Sequence, residues 1–479
     1  MQQHGQSPRK QKLALMFSYG AMTLAVVLIS AVCILLVLGY RFDFKRGDVE
    51  QGALLQFRSF PLNASITLDD EVLSFRTPGK RNVSAGQHKV SMKLDGYQTW
   101  QKTFTTDPSE LRWLNYARLI PEEVKTNSVK EFPSLVDMLP SPDRKWLLLQ
   151  SSADQPQFTL ADIRDEKKPV FSALNLPAGS YSQREGQPHQ FSLVEWDFGA
   201  RYALVKHTVG DVTEYLRIDR TDADQTVNIT GKLGITVQDM HFSGTSGNVF
   251  YALESGSIRK LDSGAGTISQ PIVKDVARFR LYESNTLAYV KEPVEQRIGV
   301  GVVVGGKAMR VATYDDTVPV FVDINEYFND HYLAIGRGTS VVIYKNPEVE
   351  NRVKYATVTT ASAISWVRVS SNGRFVVAGT GSQYTNYDIE TRENNDVNLP
   401  GTAANPNEPL QWLDDYYLVS TAANDLRITE FDGENQHVIT SSVAGYKVSL
   451  DDGGELLYSV GKTQSGAYTL QASRLVLDN

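Results

Sequence analysis

Residues 136–174 read VDMLPSPDRKWLLLQSSADQPQFTLADIRDEKKPVFSAL and contain four short apolar segments separated by polar turns. VDML and WLLLQ flank the turn SPDRK, and QFTLADI and PVFSAL follow after further polar residues. Apolar runs of this length between Pro, Asp and Ser are typical of β-strands. The stretch therefore predicts a sheet of four strands, which cannot bury both of its faces alone and must stack on neighbours.

The same arrangement recurs along the rest of the chain. Its copies start every 37 to 58 residues, close to the roughly 40 to 50 residues of a four-stranded propeller blade. The first two strands of the eight copies lie at 136–152, 194–207, 239–255, 278–292, 322–338, 364–380, 410–422 and 447–462. Seven copies lead into a fourth strand, whereas the eighth reaches Asn479 without one.

A spare strand at 125–132, KTNSVKEF, stands before the first copy. Pairing of its residues 128–132 with the strand at 468–475 would complete the eighth copy and close the ring through the two ends of the repeat region. We therefore predict a β-propeller at 122–479 with eight blades. Seven blades are the alternative, if two weak copies merge into one.

Three of the copies share a turn sequence. Residues 141–146 (SPDRKW), 371–375 (SNGRF) and 451–456 (DDGGEL) occupy the same turn between the first and second strands. They resemble the Ser-Pro-Asp-Gly-Lys-aromatic hairpin of TolB-like and WD-type propellers, in which Asp, Asn and Gly supply the backbone angles of a tight turn. This resemblance implies an architecture and no activity.

Residues 50–121 have a different pattern, with short bursts of alternating apolar and polar residues between turns, as in a small antiparallel sandwich. Phe60-Pro61, the run NASITLDD at 63–70, Thr77-Pro78-Gly79, AGQHKV at 85–90 and Asp95-Gly96-Tyr97 follow one another in the order of the PEGA domain, which this region resembles. The resemblance implies a small β-sandwich common on bacterial and archaeal cell surfaces, with no catalytic residues. Asp70 stands where that family usually has glycine, so we expect Asp70 to adopt a left-handed conformation at some cost.

Residues 13–40 contain no charged residue, His, Asn or Gln. As a helix they would extend about 42 Å, enough to cross a hydrocarbon core of about 30 Å. A secretory signal has a shorter apolar core followed by a small-residue cleavage site, and this run continues to Tyr40 without one. We predict an uncleaved transmembrane anchor with residues 1–12 in the cytoplasm. The basic residues on the two sides of the run are equal in number and favour neither orientation. Because only a short tail precedes the run, we expect that tail to stay inside and the long C-terminal part of the chain to be extracytoplasmic.

Charge and cysteine content exclude several classes of function. The net charge is −7, and because Arg9, Lys10 and Lys12 lie before the anchor, about −10 falls on the rest. This disfavours a nucleic-acid partner. Cys33 is the one cysteine, so cysteine cannot form an intrachain disulfide, zinc cluster or iron–sulfur site. Its place inside the apolar run predicts that it faces lipid and carries no lipid itself.

The sequence contains no pattern that specifies a catalytic, cofactor or metal site. The histidines occur singly, and no Gly-x-Ser-x-Gly elbow is present. His88 is predicted to be a hydrogen-bonded strand residue. The adjacent aspartates 69/70, 315/316, 414/415 and 451/452 are predicted turn formers, and the glycines at 299–306 are predicted to belong to a strand and turn because no Lys-Ser/Thr follows them.

Trp196, Trp366 and Trp412 share the first-strand position in three copies. An aromatic trio could line a sugar-binding channel, but a repeated strand position favours the core between blades. We predict a non-catalytic, membrane-tethered cell-surface protein that presents its propeller to a protein or glycan, without cofactor and with unknown binding residues. The alternatives are a propeller enzyme acting on envelope glycans and an accessory subunit of an envelope assembly.

Overall fold

A computed structural model describes residues 8–37, 40–43, 48–400, 405–422 and 424–478. The chain divides into two compact units, Met1–Glu122 and Glu123–Asn479. The first contains one long helix and a small sandwich, and the second contains eight four-stranded sheets in its described residues.

The N-terminal helix α1 spans Pro8–Val37. Its segment Met16–Leu35 has a mean hydropathy of 2.2, and none of it is buried against other parts of the chain. The helix therefore starts before the predicted span of 13–40. It also stops earlier, because Tyr40 already begins strand β1, while residues 38 and 39 lie outside the described residues.

Two four-stranded sheets form the small sandwich. In the first, β2 pairs with β1, β5 and β8, and in the second the order is β4-β3-β6-β7. The strands are Tyr40–Asp43 (β1), Asp48–Phe60 (β2), Ser65–Leu68 (β3), Glu71–Arg76 (β4), Gly79–Ser84 (β5), Gly86–Lys93 (β6), Trp100–Thr106 (β7) and Leu111–Arg118 (β8).

Side chains that alternate along these strands build the core of the sandwich. Every second residue of β7 is buried, as is Leu55 of β2 and Ile66 of β3. The pattern agrees with the predicted sandwich except at one pair. Strand β8 crosses back from the second sheet and runs parallel to β2, so the sandwich is not wholly antiparallel. Asp69 and Asp70 both adopt left-handed backbone angles (φ 49° and 67°) in the β3–β4 turn, which confirms the expectation for Asp70.

The second unit repeats one sheet of four antiparallel strands, joined in sequence order. In each sheet the second strand is deeply buried; in the first sheet every side chain of Trp146–Gln150 is buried, whereas the fourth strand is mostly exposed. First strands of successive sheets contact one another, for example Asp137–Pro140 with His189–Trp196 and Val320–Tyr327 with Trp366–Val369. The first strands are therefore the inner ones, around a central channel.

The described residues form one sheet for each predicted copy. Sheets 1 to 4 consist of Asp137–Pro140 (β10), Trp146–Gln150 (β11), Gln157–Asp162 (β12) and Val170–Asn175 (β13); His189–Trp196 (β14), Tyr202–Val209 (β15), Val212–Asp219 (β16) and Val227–Asn228 (β17); Asp239–Phe242 (β18), Val249–Glu254 (β19), Ser257–Asp262 (β20) and Thr267–Ile268 (β21); and Val276–Tyr282 (β22), Thr286–Lys291 (β23), Ile298–Val304 (β24) and Lys307–Tyr314 (β25). A short helix α2, Ile229–Leu233, follows β17.

Sheets 5 to 8 complete the set. They consist of Val320–Tyr327 (β26), Asp330–Arg337 (β27), Ser340–Lys345 (β28) and Val353–Thr359 (β29); Trp366–Val369 (β30), Phe375–Thr380 (β31), Gln383–Asp388 (β32) and Asn394–Asn398 (β33); Gln411–Trp412 (β34), Tyr417–Ala422 (β35), Asp425–Glu430 (β36) and His437–Ser441 (β37); and Ser449–Leu450 (β38), Leu456–Lys462 (β39) and Tyr468–Arg474 (β40), with Lys125–Phe132 (β9) as the fourth strand.

Strand β9 therefore closes the ring as predicted. It pairs antiparallel with β40, from Phe132 opposite Tyr468 to Lys125 opposite Arg474. A hydroxyl hydrogen bond of 2.8 Å joins Thr126 and Ser473 across this pair. Apolar clusters fill the space between sheets 1 and 2, 2 and 3, 3 and 4, 4 and 5, 5 and 6, 6 and 7, and again between 8 and 1. At these seven junctions each sheet covers its neighbour's face.

Candidate binding site at the mouth of the channel

Charged and amide side chains lie on the inner strands around the channel. Each sheet contributes at least one from its inner strand or from the residues just before it: Asp137, Glu195, Asp239 with His241, Arg280, Asp323, Arg368, Gln411 and Lys447. Their signs are mixed, so this ring of charges presents no uniform field to a polyanion or polycation.

Several of these groups connect one inner strand to the next. The carboxylate of Glu195 in sheet 2 accepts hydrogen bonds from the backbone N–H of Phe242 (2.6 Å) and the ring of His241 (2.8 Å) in sheet 3. Burial opposes a charge on His241, but its hydrogen bonds to Asp239 and Glu195 outweigh this and raise its pKa to about 10. His241 is therefore a cation held between two carboxylates and serves the structure.

The same device recurs farther around the ring. Asp323 in sheet 5 accepts a 2.9 Å hydrogen bond from the N–H of Val369 in sheet 6. Burial raises the pKa of Asp323, and Arg368 opposes this change. Gln411 in sheet 7 both donates to the carbonyl of Val448 (2.6 Å) and accepts from its N–H (2.9 Å) in sheet 8. Asp323 and Gln411 thus bind adjacent sheets together.

A cavity of about 510 Å³ opens where the inner strands are shortest. We call it the channel-mouth cavity. It is lined by Asp137, Arg368, Ser382, Pro400, Asn405, Glu408, Pro409, Leu410, Gln411, Trp412, Val419, Ser420, Thr421, Gly445, Tyr446 and Lys447. Its volume lies within the roughly 300 to 1,000 Å³ of small-molecule sites, and its wall combines aromatic rings with a few polar groups, as such sites do.

The three first-strand tryptophans have two different environments. Trp196 is 7% exposed and donates a 3.0 Å hydrogen bond to the carbonyl of Leu139, and Trp366 is 3% exposed in the core between sheets 6 and 7. The prediction of a core role is confirmed for both. Trp412 packs against that same core but also lines the channel-mouth cavity, so one member of the trio borders a site that could hold a ligand.

The other residues that the sequence singled out have structural roles. His88 is buried, with its ring nitrogens 2.7 Å from Asp69 Oδ2 and 2.8 Å from the carbonyl of Ser84, as expected for a hydrogen-bonded strand histidine. Asp414 and Asp451 accept backbone N–H groups within their own turns, as predicted for turn formers. The glycine-rich residues 299–306 form β24 and the turn after it.

Two neighbouring histidines, the buried His207 and the half-buried His189, were not predicted as a pair from the sequence. His189 Nδ1 lies 2.8 Å from His207 Nε2, and His207 Nδ1 lies 2.8 Å from Glu214 Oε1. Burial opposes ionisation of Glu214, but hydrogen bonds from His207, Ser182 and Asn228 prevail and lower its pKa to about 2. In the pairing of β14 with β15, Phe191 lies opposite His207. His189 is two residues from Phe191 on the same strand, so a correct prediction of this register would have placed the two histidines close together.

This network holds the loop before β14 rather than a metal. Ser182 donates both its backbone N–H (2.6 Å) and its hydroxyl (2.9 Å) to Glu214. In the part of the chain that the structure describes, no group of three or more His, Cys, Asp or Glu side chains is arranged to hold a metal ion. The network is therefore a buried polar clamp on one loop.

Comparison with known protein families supports the first part of the fold. Residues 53–119 match the model of the PEGA domain, which confirms the resemblance seen in the sequence. No curated protein matches the chain.

Three solved structures are similar to part of this chain at low sequence identity. They are the Dos1 propeller (TM-score 0.47, 11% identity, 73% of this chain and 95% of that one), Kluyveromyces lactis Hsv2 (0.39, 11%, 71% and 97%) and an oligogalacturonate lyase in complex with manganese (0.40, 9%, 74% and 98%). At these identities the likeness concerns the fold alone. The chain thus contains a PEGA domain at 53–119 and a propeller-like all-β unit, behind one apolar N-terminal helix.

Proposed function

We propose that this protein is a non-catalytic, membrane-tethered binding protein that presents its propeller to a protein or glycan outside the cell membrane. In this proposal residues 1–12 are cytoplasmic, 13–40 anchor the chain, 50–121 form the PEGA module and 122–479 the propeller. The single observation that carries the binding role is the channel-mouth cavity, which offers aromatic and polar groups on a ring closed by its own ends.

The charged groups of the channel support a binding role over a catalytic one. General acid and base catalysis needs two titratable groups that both reach one substrate. Glu195, Asp239 and His241 instead satisfy one another, and Asp323 is occupied by the N–H of Val369.

Asp137 favours the second candidate function, an enzyme acting on envelope glycans. Asp137 lines the cavity, and burial raises its pKa, which Lys447 opposes in part. A carboxyl group with a raised pKa in a pocket is a candidate general acid.

The test of topology uses the full chain with different tags at its two ends, expressed in a Gram-negative host and treated with protease as spheroplasts. We expect loss of the C-terminal tag and survival of the N-terminal tag with the anchor. Protection of residues after 50, with cleavage of the N-terminal tag, would show that the orientation is reversed.

Catalysis is tested in parallel by incubating the purified chain with envelope glycans and measuring product. We expect none. Turnover that disappears in the Asp137→Asn variant would replace the binding role by the enzyme alternative.

A further inference from the structure

The channel-mouth cavity exists because two inner strands are short. Strands β34 and β38 have two residues each, whereas the other inner strands have four to eight. In β34, Gln411 pairs with Val419 and Trp412 with Leu418, so residues 420–422 of β35 have no inner-strand partner. Pro409, which would continue the pairing, has no N–H to donate. The local sequence therefore leaves the inner edge of sheet 7 open to the channel.

Two polar groups in the wall of this opening have no hydrogen-bond partner among the described residues. Ser420 is 8% exposed, and neither its Oγ nor the Nε1 of Trp412 forms a hydrogen bond with any described residue. Both residues line the cavity. An indole N–H can only donate, so Trp412 requires an acceptor oxygen, and a buried hydroxyl without a partner costs roughly 1 to 3 kcal/mol. A bound molecule rich in oxygen would satisfy both groups.

Two cationic side chains lie in the same wall. Arg368 and Lys447 line the cavity. Arg368 lies near Asp323 and Lys447 near Asp137, but neither cation forms an ion pair within 4 Å in the residues that the structure describes. Arg368 donates one hydrogen bond, of 2.9 Å, to the carbonyl of Val367, and leaves further guanidinium donors available.

We propose that the channel-mouth cavity binds a carbohydrate residue that carries a carboxylate. The sugar hydroxyls accept from Trp412 Nε1 and bond with Ser420 Oγ, and the apolar ring face of Tyr446 covers the C–H face of the sugar. The carboxylate is neutralised by Arg368 and Lys447. This inference rests on the proposed binding role and names its ligand class.

A peptide carboxyl terminus shares the carboxylate but not the hydroxyl groups. Its carbonyl oxygens could accept from Trp412, but a sugar ring offers several neighbouring hydroxyl groups that can pair with Trp412 and Ser420 together, so we favour the acidic sugar. The cavity wall also contains Asp137 and Glu408, whose negative charges would repel a ligand carboxylate. The ligand carboxylate must therefore lie beside Arg368 and Lys447.

The experiment measures binding of glucuronic acid to the full chain in lipid nanodiscs by saturation-transfer NMR and calorimetry, with glucose as the uncharged analogue. We expect glucuronic acid to bind at least tenfold more tightly than glucose. Lys447→Gln and Arg368→Gln should each weaken binding of the acid about tenfold. Lys232→Gln, an exposed lysine on α2, is the matched control and should leave binding unchanged.

Ser420→Ala separates binding from folding. Because its hydroxyl has no partner in the described residues, removal should not lower the melting temperature, yet it should weaken sugar binding about threefold or more. The proposal would be overturned if glucose, acetate or a peptide carboxylate bound as tightly as glucuronic acid. It would also be overturned if Lys447→Gln and Ser420→Ala left the binding of glucuronic acid unchanged, or if glucuronic acid did not bind at all. The assay uses purified protein, so an incorrect membrane orientation leaves its result unchanged and the two failures stay distinguishable.

Discussion

Replacing Phe132 by Ala should destabilise the propeller through its closing strand. Phe132 is the last residue of β9, is 4% exposed, and lies in the cluster that joins sheet 1 to sheet 8 with Met138, Leu147 and Tyr458. Truncation of a buried Phe to Ala costs about 3 to 5 kcal/mol, from lost transfer energy and the cavity left behind. We expect a loss of that size in the free energy of unfolding of the second unit.

The matched control is Phe328→Ala, in the turn between β26 and β27. Phe328 is 78% exposed, so its truncation should cost less than about 1 kcal/mol. The assay is urea unfolding of the full chain followed by tryptophan fluorescence, in which four of the six tryptophans report the second unit. Equal and small effects of the two substitutions would refute the packing of β9 between sheets 8 and 1. Deleting 123–132 should be more damaging still, because it removes every backbone bond between β9 and β40.

Three further predictions concern single residues. Burial lowers the pKa of His437 from 6.5 to about 4. The free energy of unfolding should therefore be highest above pH 6.5 and should fall by up to about 3 kcal/mol as the pH falls towards 4. His437→Gln should reduce this loss in urea titrations at pH 7 and 4.5. Glu214→Ala should cost roughly 3 kcal/mol or more at pH 7, against little for the exposed Glu408→Ala, and melting curves that show no difference would contradict the clamp. Gly373→Ala should lower the melting temperature more than Gly256→Ala, although both have left-handed angles (φ 74° and 71°), because only at Gly373 would the added carbon overlap the carbonyl oxygen of Glu326.

The sequence predicted the closing strand because a propeller with one incomplete sheet has an unpaired edge, and 125–132 was the one strand not assigned to a copy. It could not predict the direction of β8, because strand direction depends on how the chain crosses between the two sheets of the sandwich. The turn residues Asp69, Asp70, Asp414 and Asp451 were predictable, since their preference for turns is local.

The candidate site was harder to predict, because it depends on register and strand length. Arg368 and Lys447 are 79 positions apart in the chain, and only the closed ring places both at one cavity. Pro409 was a local sign that β34 would be short, but the resulting opening involves Ser420 on the next strand. His189 and His207 appeared single because their proximity requires the β14–β15 pairing register.

In the proposed function the propeller is a closed ring on the extracytoplasmic side of the membrane. One double variant, Thr126→Cys with Ser473→Cys in a chain whose Cys33 is replaced by Ser, tests both parts. The two positions lie opposite each other and their hydroxyls are 2.8 Å apart, so the new thiols can form a disulfide. Disulfides persist in the periplasm and not in the cytosol.

The measurement is the fraction of disulfide in cells of a Gram-negative host, trapped by acid and then alkylated. We predict nearly complete oxidation of this pair and little oxidation of Thr126→Cys with Thr469→Cys, which are separated along the strands by roughly 13 Å. A pair that stays reduced in cells but oxidises after purification would contradict the location. A pair that oxidises in neither condition would contradict the closed ring.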